Sequence, residues 1–286
     1  MGLIPSTQAK DFINEVKKYD PNQERLLEWN DTKYFSDVDY ITNSMLKHLN
    51  DSPEHLDAYL KYPAWRSVKQ AYIDGRALHC YILEPEEFDN RFWYINDTEI
   101  IEEIGGAKPR ATKKYKEWKI EIQNENLNKQ EISHELYLHL TLIKEKLEAI
   151  TQVKQLLHNT KKEKAYFKKL NGINCKCKVD AINIGNYIVD LKGFKETPNP
   201  YNFLRNLKKY NLDRQAALYC DILGLDQFWF ICVEKTYPYT VGIYEVSAET
   251  LQAGREKYEY LLEVHKNNLN NYDKEYVNNF CYFGTI

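Results

Sequence analysis

Apolar and polar residues follow two rhythms along this chain, and each rhythm predicts a kind of element. Period-two runs mark strands: AYFKKL from Ala165, KCKVDAI from Lys176, YIVDLKG from Tyr187, DQFWFICVEK from Asp226 and YTVGIYEV from Tyr239. Helical spacing marks the rest. One helix begins near Ser44 with MLKHL, and Ser52-Pro53-Glu54 reads as the cap of the next. In GRALHCYIL, Leu78 and Ile82 form a buried stripe, with Ala77 and Tyr81 beside it and Gly75 one turn before His79. A long helix over 132–158 carries Leu136, Leu140, Ile143, Leu147 and Ile150. Another follows Pro198 and Pro200 and stops at Gly224, and ETLQAGREKYEYLLEVHKNN closes the series.

These elements predict a single α/β domain over 39–286, a mixed central sheet flanked by helices. Residues 1–38 are polar and weakly periodic, an N-terminal extension. Residues 96–160 form an insertion before the core sheet: a charged, mobile arm with a Gly105-Gly106 turn, then the 132–158 helix. A looser aromatic tail spans Phe280 to Phe283.

Strand alternation decides which side chains can cooperate. On YIVDLKG, Tyr187, Val189 and Leu191 project one way, and Asp190 and Lys192 the other. Charges on a buried strand are rarely left unpaired. What they meet depends on the turn before them, because opposed residues of an antiparallel hairpin share a face. A two-residue loop at Gly185-Asn186 opposes Asp180 to Leu191. A three-residue loop, Ile184-Gly185-Asn186, opposes Asp180 to Asp190, and this register or an equivalent bulge is expected, with Asn186 at positive φ. Two facing carboxylates repel, and a bound divalent cation reverses that cost. Oxygen ligands suit Mg²⁺ or Mn²⁺. The plain alternative is a pair of solvated aspartates with a surface lysine.

The bulk numbers narrow the class. Hydrophobic residues make up 43% of the 286 positions, which excludes a disordered chain. No apolar run approaches membrane-spanning length, so no membrane partner is expected. The six cysteines form no CxxC pair, and Cys175 and Cys177 alternate as small core residues; a reducing cytoplasm is the expected setting. A net charge of −3 argues against coating nucleic acid over the whole surface, yet a basic lining remains open. Lys108 to Lys119 concentrates six cations against Glu117 alone, and from it Arg110, Lys113, Lys114 and Lys116 are candidates for phosphate contacts.

Several ordered blocks carry a resemblance: YITNSMLKHLNDSPEHLDAYL from Tyr40, GRALHCYILEPEEFDNRF from Gly75, PRATKKYKEWK from Pro109, CKCKVDAI with VDLK, KKYNLDRQAALY, and VEKTYPY from Val233. Over roughly Tyr40 to Val264 the chain resembles the PD-(D/E)XK nuclease superfamily, and within it the RecE-like (exonuclease VIII-type) exonucleases of phages and prophages. The GFKE stretch after VDLK departs from the small hydroxylated residues more usual there.

The resemblance implies a restriction-endonuclease-like fold and a metal-dependent exonuclease that digests duplex DNA ends, 5′ to 3′. It implies recombination or repair with a single-strand annealing protein, and rings of subunits around DNA occur among such enzymes. The implied catalytic residues are Asp180, Asp190, Lys192, Gln215 and Tyr219. The implied metal ligands are His79, Asp180, Asp190 and the Leu191 carbonyl, holding Mg²⁺ or Mn²⁺. Glu163, flanked by lysines, is expected to be a bystander. A structure-specific endonuclease of the same fold, or a DNA-binding module without catalysis, would use the same frame.

Overall fold

A computed structural model describes residues 34, 36–62, 70–106 and 108–268. Most of the 1–38 extension, the Phe280–Phe283 tail and Cys281 lie outside the described residues. The chain opens with α1 (Asn43–Asp51), α2 (Pro53–Lys61), α3 (Gln70–Leu83), the short α4 (Phe88–Arg91) and β1 (Phe92–Trp93). Then come α5 (Asp97–Glu103), α6 (Lys113–Glu125), β2 (Gln130–Glu131), α7 (His134–Glu148) and α8 (Thr151–Leu157). The core follows: β3 (Lys161–Leu170), β4 (Ile173–Asn183), β5 (Tyr187–Phe194), α9 (Pro200–Tyr210), α10 (Leu212–Leu223), β6 (Gln227–Glu234), β7 (Val241–Glu245) and α11 (Ala248–Asn268).

The five period-two runs become one mixed sheet in the order β3-β4-β5-β6-β7. Only β5 and β6 run parallel; the other neighbours are antiparallel. Such a sheet needs cover on both faces. On one face, Leu46 of α1, Leu56 of α2, Ala216 to Leu218 of α10 and Leu261 and Leu262 of α11 pack with Cys177, Val179, Ile188 and Phe230. On the other, Leu78 of α3, Leu140 and Ile143 of α7 and Val153 of α8 pack with Val189, Leu191, Ile231 and Val233. Each fully buried aliphatic side chain contributes about 1.5–3 kcal/mol. The mixed α/β architecture and its helical flanks are therefore as the sequence predicts.

Local signals also hold. Thr42 caps α1 and Ser52 caps α2, each accepting a backbone N–H, with Pro53 at the first turn of α2. Three expectations change. The 132–158 helix is two helices, because Ile150 adopts extended φ −93, ψ 116 between them. The helix after Pro200 is also two: Asn211 sits at φ 49, ψ 48, a left-handed conformation that asparagine tolerates. The stretch expected as a mobile arm folds into α5 and α6, since Tyr115, Trp118 and Ile122 cover Trp93, Ile95 and Ile100.

Candidate active site

The hairpin turn sets the site. Asn183 pairs with Tyr187, leaving the three-residue loop Ile184-Gly185-Asn186, and Ala181 pairs with Val189. Continuing that register opposes Asp180 to Asp190. The left-handed residue is Gly185, at φ 79, rather than Asn186, because the Asn186 N–H bonds back to the Asn183 carbonyl and leaves positive φ to the residue before it. The recorded ladder stops at Ala181 and Val189. Beyond it the Asp180 Oδ2 accepts the Leu191 N–H at 2.7 Å, so a carboxylate stands where backbone pairing ends.

The preceding hairpin adds a third acid. Asn171 and Gly172, at φ 48 and 85, make a two-residue turn that pairs Leu170 with Ile173. In that register Lys162 and Lys164 face Ala181 and Val179, so Glu163 faces Asp180. Glu163 itself has φ 51, a backbone state costing about 1–3 kcal/mol for such a residue. Lys178 Nζ holds its Oε2 at 2.7 Å.

Two helices complete the cluster. From α3, His79 Nδ1 lies 3.3 Å from Asp180 Oδ1 and 3.8 Å from Glu163 Oε1. From α10, Gln215 Nε2 donates to Asp190 Oδ1 at 2.6 Å. Lys192 Nζ lies 2.7 Å from Asp190 Oδ2 as an ion pair. His79, Glu163 and Asp180 each offer one ligand atom within a mutual 4.8 Å, a geometry able to hold a metal ion. Glu163 is thus no bystander, and its partner is Lys178 on the neighbouring strand rather than either lysine that flanks it in sequence.

The electrostatics fit a cation. Glu163 Oε1 is buried and accepts no hydrogen bond among the described residues, and the buried Asp190 Oδ2 is met by the Lys192 ammonium. Buried carboxylate oxygens in that state are costly unless positive charge meets them. Burial pushes Asp190 up to about 6, against the pull of Lys192 and with the push of Asp180. Burial also raises Asp180, but His79, Lys192 and the Leu191 N–H outweigh it and hold the carboxyl below its usual range. Burial lowers His79, yet Asp180 and Glu163 prevail and lift it to about 10. An imidazolium therefore occupies, in the metal-free protein, a place built for positive charge.

The remaining expected residues fall into two groups. Tyr219 lies one turn beyond Gln215, its ring 6.4 Å from Phe228, and it makes no hydrogen bond to Asp180 or Asp190. Burial first, then nearby Tyr34, Cys177 and both aspartates, raises its hydroxyl well above the ordinary value. Leu191 contributes its N–H to Asp180. Arg110, Lys113 and Lys114 lie on the α5–α6 module with local partners: Asp97, Glu117 at 3.3 Å and the Glu103 carbonyl, respectively. Lys116 is exposed on α6. None of the four contacts the acid cluster.

A family model described as PDDEXK-like domain of unknown function (DUF3799) matches residues 42–276. The chain belongs to this family. The PDDEXK-like domain is accordingly a member of the PD-(D/E)XK nuclease superfamily; Asp180 lies on β4, and Asp190 and Lys192 lie on β5. Among curated proteins no sequence match is found. A crystal structure described as a candidate exonuclease from Eubacterium rectale superposes with a TM-score of 0.61 at 16% identity, covering 91% of this chain and 96% of that one. At that identity the likeness shows the fold alone. An alkaline exonuclease from Laribacter hongkongensis reaches a TM-score of 0.28 at 10% identity, covering 65% of this chain and 95% of that one, and carries no argument.

Proposed function

We propose that this PDDEXK-like domain hydrolyses DNA phosphodiester bonds at duplex ends, with a divalent cation, Mg²⁺ or Mn²⁺. The observation that carries this reading is the convergence of His79, Glu163, Asp180, Asp190 and Lys192 from four elements onto one partly buried spot. His79, Glu163 and Asp180 would hold the cation, with Asp190 beside them. A divalent cation supplies acidity to a water ligand and screens charge that develops on a phosphate.

The chain's own residues do the rest. Gln215 fixes one oxygen of Asp190 and leaves the other toward Lys192. Lys192 places an ammonium where an attacked phosphate gains negative charge, which stabilises the transition state. Asp180 ties the Leu191 backbone to the cluster and so holds β4 and β5 in the productive register. Tyr219, one turn from Gln215, flanks the site with its hydroxyl near both aspartates, where it would contact phosphate or orient Lys192. The 5′-to-3′ direction, the RecE-like identity, a ring of subunits and an annealing partner belong to the same proposal, supported by the order of the sequence blocks, and a cytoplasmic setting joins them on the cysteine pattern.

The test is a time course on end-labelled linear duplex beside a covalently closed circle, with Mg²⁺, Mn²⁺ and EDTA arms. Metal-dependent loss of the linear DNA with the circle spared is expected. Cutting of the circle would replace end-dependence with endonuclease action, and no cutting of either would sink the hydrolytic reading.

A further inference from the structure

The helix between the two catalytic elements has an outer face that the site does not use. α9 follows β5, which carries Lys192, and passes through Asn211 into α10, which carries Gln215. Its inner face is fixed: Phe203 stacks on Tyr244 with ring centroids 4.0 Å apart, and Leu207 is buried. The loop before it is held too, by the Tyr244 hydroxyl on the Pro198 carbonyl at 2.5 Å and by Asn202 Nδ2 on the Thr197 carbonyl at 2.8 Å. α9 is therefore a rigid support rather than a loose cover.

The outer face is aromatic and basic. At 100° per residue, Tyr201, Leu204, Arg205 and Lys208 share one arc of about 100°, with Lys209 at its edge. Tyr201 is 74% exposed and Leu204 55%. Arg205 lies 6.0 Å over the Tyr201 ring and also pairs with Glu196. No acidic residue occurs between Pro200 and Tyr210. This differs from α6, where Lys113 is met by Glu117 on the same helix.

We infer that the outer face of α9 binds an unpaired strand of nucleic acid, with a base stacked on Tyr201 and phosphates met by Arg205, Lys208 and Lys209. Duplex DNA keeps its base faces covered, so it would meet the cations and leave the tyrosine unused. An unpaired strand meets both, because every base offers a π-face and every linkage a charge. A helix joined at both ends to catalytic elements is well placed to hold the strand that end-digestion leaves unpaired. The inference rests on the nucleic-acid reading of the site.

The test uses the full chain in EDTA, with a labelled oligo-dT strand and a blunt duplex of equal length. Tyr201→Ala should weaken oligo-dT binding by about tenfold and change duplex binding by less than about twofold. Tyr201→Phe keeps the ring and should bind as the parent does. Because Tyr201 is exposed, matched thermal midpoints should show that both variants fold. Equal oligo-dT affinity for the parent and Tyr201→Ala overturns the inference. So does a change of mass in light scattering with strand binding unaltered, which would make the face a protein contact. A parent that cuts duplex while Tyr201→Ala binds normally loses only the α9 face. A parent that holds oligo-dT through Tyr201 but cuts nothing with Mg²⁺ or Mn²⁺ loses only the hydrolytic reading.

Discussion

Helix α10 carries a charged cluster near each end, and the two are built on opposite plans. Toward its C-terminus, Asp221 has a donor on each carboxylate oxygen. Arg255 donates to both of its oxygens at 2.7 Å, the Tyr258 hydroxyl adds a third bond, and Lys168 takes its backbone carbonyl at 2.7 Å. Toward its N-terminus, Gln215 meets Asp190 in a cluster where the buried Glu163 Oε1 accepts no hydrogen bond among the described residues and Asp190 Oδ2 is met by Lys192. A bidentate arginine matches both carboxylate oxygens geometrically and neutralises their charge. Three acids served by two lysines and one histidine remain short of donors. A closed cluster contributes to the fold; an open one is held in place by the fold against its own repulsion.

The strongest way to break this contrast is Asp190→Asn. Cleavage should be abolished, as measured on linear duplex at saturating Mg²⁺, while the fold persists. The same variant makes a signed pH prediction. Asp190 in the fold titrates near 6, above its ordinary range, so ionising it opposes folding. That penalty is absent below the ordinary aspartate range near 3.8, grows as pH rises from there to about 6 and is complete above it. Metal-free Asp190→Asn should therefore melt higher than the parent at pH 8 and alike at pH 4, read by thermal denaturation. Retained parental cleavage would remove Asp190 from the mechanism.

Next in size is Lys192→Ala. Two carboxylates alone could hold a structural cation, and a lysine beside that cation would only repel it. With a phosphate present the lysine has an anionic partner. Its loss should lower the cleavage rate by about a hundredfold or more, with DNA affinity near that of the parent in a Ca²⁺ binding assay.

Asp221→Asn probes the closed cluster. It should lower the thermal midpoint, by about 1–3 kcal/mol of stability, and leave the Mn²⁺ dependence of activity unmoved. A shift in that dependence would show that the two ends of α10 are not separate.

His79 sharpens the open cluster further. Its imidazolium, with a pKa near 10, must lose a proton before it can ligate a metal. The sign follows: Mn²⁺ binding, followed by calorimetry, should tighten by up to about tenfold per pH unit between pH 7 and 9. His79→Ala should flatten that slope. If His79 were only a packed core residue, the variant would lose stability and keep the slope.

The smallest effect concerns α6. Neutralising Lys113, Lys114 and Lys116 together should reduce the salt dependence of DNA binding by about one unit of slope per lost phosphate contact. A solvated surface would leave the slope as it is.

Much of the site was legible because hairpin register is arithmetic. Asp180 opposes Asp190 by counting from Ile184-Gly185-Asn186, and the count holds. The same arithmetic, applied to Asn171-Gly172, opposes Glu163 to Asp180. That signal was present and was outweighed by the lysines on either side, which read as solvent but include no partner of Glu163. Its partner is Lys178, one strand away. The breaks at Ile150 and Asn211 were not legible in this way, since a single residue leaving the helical region changes no hydrophobic period.

What the sequence determined by itself is local and periodic: five strands by alternation, capped helices by their Ser, Thr and Pro signals, and hairpin registers by turn length. Each depends on residues near one another in the chain. Only the tertiary structure decided that His79 of α3 reaches Asp180 from one helix, that Gln215 of α10 reaches Asp190 from another, and that the charged 96–130 stretch folds around Trp93. Those outcomes depend on which helix packs where on the sheet. Packing is set by the shape and burial of whole faces at once, and no pair of neighbouring residues encodes it.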